Sequence, residues 1–178
     1  MTHMSLLKVA RMGHPVLRTR AREVERGELK QPSMQKLIDD MIDTMDEYHG
    51  VGLAAPQVHE GLRMFVALLD EDPDAKSKAA VIINPEIAPN GSAIEEGWEG
   101  CLSIPDIRGM VPRYTDIRLK ALDRTGRTIE LPLKNFAARV AQHETDHLDG
   151  VLFFDRMKSF NTLTFLDEYS RFWAKDED

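Results

Sequence analysis

The chain has 178 residues, 42% of them apolar, which is enough for one buried core without disulfides or repeats, so a single domain over residues 1–178 is expected. Its 23 basic and 30 acidic residues leave a net charge of −7, the wrong sign for a protein that lives on phosphate backbones, and sequence-specific nucleic-acid binding is not expected. No run approaches the roughly 18 apolar residues of a membrane span, Met1-Thr2-His3-Met4 lacks a leader pattern, and the one cysteine cannot close an intramolecular disulfide; a cytoplasmic protein free of membrane is expected.

In chain order, Met34, Leu37, Ile38, Met41, Ile42, Met45 and Tyr48 recur at helical spacing and predict an amphipathic helix over 33–49. Ser33 is the expected N-cap and Gly50 the C-terminal stop. The glycine-punctuated Gly50-Val51-Gly52-Leu53-Ala54-Ala55-Pro56-Gln57 follows, then short apolar runs of strand character at 64–69 and 80–83, with turns expected at Asn84-Pro85 and Asn90-Gly91.

Ile117, Leu119 and Ala121, and then Ile129, Leu131 and Leu133, alternate with polar residues around Asp123-Arg124-Thr125-Gly126, the pattern of a hairpin with one buried face. From Phe136 through Val140, His143 and His147 the helical period returns, and Gly150 closes it. Leu163, Leu166, Tyr169, Phe172 and Trp173 predict a docked C-terminal helix. Helices and strands are segregated rather than alternating, so the expected class is α+β, with antiparallel strands packed around a central helix.

That central helix carries Gln142-His143-Glu144-Thr145-Asp146-His147, an H-E-x-x-H pattern. Four residues of helix put His143 and His147 one turn apart on one face, where both imidazoles reach one metal ion. Glu144 lies about 100° around the helix, beside the ion without being compelled to ligate it, which is the place for a base acting on a bound water. The pattern alone does not distinguish a metal site from an ordinary helix, and a third ligand is needed.

One protease pattern places a third His after Gly150, but that position is Phe153. Another uses a Glu some twenty residues downstream, and Glu168 stands at about that separation. The competing candidate is Cys101, in Glu99-Gly100-Cys101-Leu102-Ser103-Ile104-Pro105, where Gly100 permits close backbone approach. A lone cysteine is ordinarily a small buried hydrophobe. As a thiolate it would complete a Cys-His₂ site with one position open to water.

The segments 50–57, 99–105 and 142–147 together resemble the three motifs of the peptide deformylase family, in the same order. The similarity extends through His14-Pro15-Val16-Leu17-Arg18 and Asp146-His147-Leu148-Asp149-Gly150, so it covers most of the chain. The resemblance implies Cys101, His143 and His147 as metal ligands, Glu144 as the acid/base, and the Gln57 side chain with the Leu102 N–H as donors to the formyl oxygen. It implies hydrolysis of the formyl group from N-formylmethionine on newly made polypeptides, with attack by a metal-activated water. It further implies Fe(II) as the native ion, although one thiolate and two imidazoles also suit zinc, nickel or cobalt.

The Val51-Gly52 backbone is expected to pair with the peptide as an added strand, Gly100 to border it and Arg108 to contact it. The expected partners are formylmethionyl nascent chains and a transient ribosome contact, with the oligomeric state open. The short acidic end Ala174-Lys175-Asp176-Glu177-Asp178 differs from the longer basic helix by which some family members dock on ribosomes.

Overall fold

A computed structural model describes residues 6–70 and 78–174. The opening four residues and the acidic end 175–178, on which expectations rested, lie outside the described residues. The helices are α1 (Pro32–Glu47), α2 (Asn135–Leu148) and α3 (Leu166–Phe172). The strands are β1 (Gly52–Ala54), β2 (Met64–Ala67), β3 (Ala80–Pro89), β4 (Ile94–Cys101), β5 (Ile104–Tyr114), β6 (Asp116–Leu122), β7 (Thr128–Lys134) and β8 (Thr164–Phe165).

Two antiparallel sheets form, one five-stranded in the order β1-β2-β3-β6-β7 and one three-stranded in the order β4-β5-β8. Helix α2 packs against β1, β2, β6 and β7 of the first and against β5 of the second. The expected α+β arrangement around a motif-bearing central helix is therefore what the chain adopts.

Strand periodicity explains the layering, because successive side chains leave opposite faces of a sheet. Phe65 and Ala67 join Ile82, Ile117 and Leu119 against Ala137, Ala138 and Ala141 of α2. Met64 and Val66 point the other way, onto Met34, Ile38, Met41 and Met45 of α1. Strand β2 is thus covered on both faces, which is why its sequence is an unbroken apolar run; the β6–β7 hairpin, with one covered face, alternates.

Three local expectations are corrected. Pro32, not Ser33, opens α1, because the proline ring fixes a helical φ and its missing N–H costs nothing there; Gln31 is the cap residue and makes no side-chain capping bond. At the other end of α1 the left-handed residue is His49 at φ 53°, and Gly50 N–H closes the turn on Met45 O at 2.9 Å. Asn84-Pro85 is not a reversal: β3 continues through it with a bulge between Ile83 and Glu86, and the Asn84 amide accepts from Val24 N–H and donates to Val24 O, both at 2.9 Å.

Gly150 does end α2 as expected, at φ 73°, where an added Cβ would come within 2.7 Å of Arg18 O. The C-terminal helix is shorter than its apolar pattern suggested: Leu163 lies outside it and none of its residues is buried. It rests on Trp98 through Tyr169 and Trp173, with ring centroids 5.0 and 5.6 Å away.

Candidate metal centre and substrate cleft

The β4–β5 hairpin turns tightly, with Cys101 paired to Ile104 and only Leu102 and Ser103 between them. A register shift between Glu99 and Cys101 lets Cys101 leave the strand's regular alternation. The hairpin tip meets one face of α2, where the ligand atoms of Cys101, His143 and His147 all lie within 4.8 Å of one another. Cys101 Sγ is 3.3 Å from His147 Nε2, a separation in keeping with two ligands sharing an ion through bonds of roughly 2.0–2.3 Å.

Glu168, the alternative third ligand, sits on α3 beside Arg171 at 3.5 Å and is not part of this cluster. Phe153 is buried, and its ring stacks at 6.4 Å on that of His143.

The donor set suits a borderline divalent ion, with one soft sulfur and two imidazole nitrogens. Burial works against a thiolate at Cys101, but the adjacent imidazoles outweigh it and hold the thiol well below its ordinary pKa. The cluster therefore favours positive charge at its centre, which a divalent cation supplies.

His143 is aimed by Glu99, whose Oε2 lies 2.9 Å from His143 Nδ1. Burial raises the pKa of Glu99, yet hydrogen bonds from His143 and Arg113 overcome it and hold the carboxyl at about 2. An ionised carboxylate can only accept, so Nδ1 carries the hydrogen and the Nε2 lone pair is left for a metal. Arg113 grips Glu99 at 2.9 and 3.0 Å and reaches Asp146 at 2.6 Å, while Arg139 donates to Glu99 at 2.9 Å. His147 is held by packing: it is only 1% exposed and its Nδ1 has no hydrogen-bond partner among the described residues.

Glu144 is buried beside the cluster, and desolvation pushes its pKa above the ordinary carboxylate value despite His143 and His147. Among the described residues its Oε2 has no hydrogen-bond partner, leaving an acceptor for a water or substrate proton. Gly52 makes room for it, since a Cβ at that position would stand 2.5 Å from Glu144 Oε1.

Gln57, 1% exposed, lies in the short 3-10 turn after β1. Its Oε1 accepts from Ala54 N–H at 2.9 Å, while Nε2 donates to Ser103 Oγ at 3.2 Å and approaches Cys101 Sγ at 3.5 Å. The amide orientation is thereby set, with one N–H toward Ser103 and the other toward the centre.

These groups open onto a cleft of about 590 Å³ that Val51, Gly52, Gly100, Leu102 and Arg108 also line. Strand β1 ends its sheet, so its outer edge is unpaired by that sheet along the cleft; Val51 is exposed and its C=O accepts from Leu68 N–H at 2.9 Å. Arg108 folds over Gly100, where any Cβ would collide with its guanidinium, and donates to its own Ile107 O at 2.9 Å. Of the residues singled out by sequence as the site, Val51, Gly52, Gln57, Gly100, Cys101, Leu102, Arg108, His143 and Glu144 line this cleft, while His147 lies buried behind it in the ligand cluster. Glu99, Arg113, Ser103 and Trp98 were not singled out: Glu99 and Ser103 lie inside a motif without a distinguishing pattern, and Arg113 meets Asp146 only through a 33-residue separation.

The chain matches the polypeptide deformylase family over residues 6–162. It is 42% identical over 176 residues to peptide deformylase 2 of Nostoc sp., covering 96% of this chain and 97% of that one. Among solved structures, the Met-Ala-Ser-bound class I type b peptide deformylase of Acinetobacter baumannii superimposes with a TM-score of 0.80 at 40% identity, over 86% of this chain and 99% of that one. The peptide deformylase of Thermotoga maritima gives 0.78 at 40% identity, over 87% and 99%. Fold, motif order and sequence agree, and the chain belongs to the polypeptide deformylase family.

Proposed function

We propose that this deformylase hydrolyses the formyl group from N-formylmethionine at the start of newly made polypeptides, releasing formate. The observation that carries the reading is the convergence of Cys101, His143 and His147 beside buried Glu144 at the foot of a cleft bordered by an open strand edge. Cys101, His143 and His147 would hold one divalent ion, Fe(II) in the native enzyme, which when bound polarises the formyl oxygen and brings a water ligand toward a pKa of about 7.

The protein supplies the remaining steps. Glu144, ionised, accepts a proton from the attacking water through Oε2, which has no partner among the described residues. Charge that develops on the formyl oxygen meets the Gln57 Nε2–H and the Leu102 backbone N–H; one such donor is worth roughly 2.7–4 kcal/mol. The protonated Glu144 then delivers its proton to the departing amine, so one carboxylate serves both steps. The Val51-Gly52 edge would receive the peptide as an added strand, which reads chain direction rather than sequence. The relative from Acinetobacter baumannii with bound Met-Ala-Ser supports a peptide of this kind as ligand.

The test is formate release from formyl-Met-Ala-Ser by anaerobically purified protein, with metal content measured on the same sample. Formate with about one equivalent of divalent metal is expected. Cleavage of an internal peptide bond without formate would overturn the reading.

A further inference from the structure

Trp98 lines the cleft one residue before Glu99 and is half-buried. Its outer side is covered by Tyr169 and Trp173, both from the segment around α3. That segment reaches the cleft itself: β8 pairs with β5 at Ile107–Phe165 and Arg108–Thr164, and Leu166, the first residue of α3, joins the cleft lining. This stretch lies beyond the residues, 6–162, that match the family.

We propose that Trp98 and Leu166, held in place by Tyr169 and Trp173, form an apolar wall that selects peptides by the two residues following formylmethionine, favouring apolar side chains there. The proposal rests on the deformylase reading above. Trp98 and Leu166 offer carbon surface with no acidic or basic group of α3 among the cleft-lining residues. An apolar side chain laid on that wall sheds water at both surfaces, whereas a carboxylate or ammonium turned toward Trp98 and Leu166 loses hydration against carbon, the cleft's charged groups, Arg108 and Asp106 among them, standing on other elements.

The wall is also adjustable. No residue of α3 is buried, and the helix is tied down by the aromatic contacts with Trp98, by packing on β5 and by the two pairings of the adjoining β8. Loosening those contacts displaces the wall without touching Cys101, His143, His147 or Glu144, and its effect therefore falls on KM rather than on kcat.

The experiment compares formyl-Met-X-Ser and formyl-Met-Ala-X, with X as Ala, Leu, Phe, Glu or Lys, in wild type, Tyr169→Ala/Trp173→Ala and Leu166→Glu. Wild type is expected to prefer Leu or Phe over Glu by about tenfold in kcat/KM at one of the two positions, the scale of one apolar pocket contact. In the double variant that preference shrinks several-fold through KM, with kcat and metal content retained. Leu166→Glu raises kcat/KM for the Lys peptides relative to the Glu peptides several-fold.

A wild type indifferent to X, or variants that keep the full preference, would overturn the wall. A kcat loss with equal effect on every peptide would do the same, as the mark of a merely structural role. Absence of formate from every peptide in wild type with its metal bound would instead overturn the deformylase reading.

Discussion

Glu99 Oε2 lies 2.9 Å from His143 Nδ1, so the carboxylate between two arginines decides which imidazole nitrogen faces the cluster. Glu99→Gln keeps the shape but can accept through one atom only and lacks the charge. Metal affinity, read by competition against a chromophoric chelator, is expected to fall about 10–100-fold. Unchanged affinity would remove Glu99 from the orienting role.

The same carboxyl sets a pH response. Its folded-state pKa is about 2 against an ordinary 4.5, so its stabilisation is fully present above about 4.5 and is lost as pH falls from there toward about 2. Denaturant midpoints of chelator-treated protein should drop between pH 5 and pH 3, and Glu99→Gln should flatten that slope.

Breaking the ion network from the other side is more damaging. Arg113 is buried between Glu99 and Asp146, and Arg113→Met leaves carboxylates without their central partner. The expected loss is about 3–5 kcal/mol of unfolding free energy, measured by urea titration. A cost below about 1 kcal/mol, typical of exposed pairs, would contradict the burial argument.

Ser103, fully buried, holds one Gln57 N–H at 3.2 Å. If Ser103 works through Gln57, Ser103→Ala lowers kcat with little change in metal content, and adding it to Gln57→Ala costs almost nothing further. Additive losses in that double-mutant cycle would show the two acting independently.

The base role proposed for Glu144 requires its ionised form, and burial raises its pKa above 4.5. The acid limb of kcat/KM is therefore expected above that value, with activity falling as pH drops through it. Gly52→Ala should reduce kcat severely, since the new methyl would overlap Glu144 Oε1 at 2.5 Å. Glu144→Ala should retain metal while losing about 10²–10⁴ in turnover.

Much of this was readable along the chain, for physical reasons that are local. The i,i+4 spacing of His143 and His147 is a property of helix geometry, and the alternation of 117–121 and 129–133 a property of a sheet with one wet face. Where the local signal was ambiguous, packing decided. Pro32 displaced Ser33 as helix opener, Asn84 pinned a bulge rather than a turn, and α3 kept only part of its apolar pattern because little of the protein lies over it.

Cys101 belonged to the sequence as a lone thiol, a motif residue with a rival in Glu168. Its place beside two imidazoles 42 and 46 positions away came from the tertiary structure, which folds a hairpin tip onto one face of α2. Glu99, Ser103 and Trp98 follow the same rule. Residue type and spacing determine what chemistry a segment can offer, but which groups meet, and with what charge, depends on burial and on contacts between segments far apart along the chain.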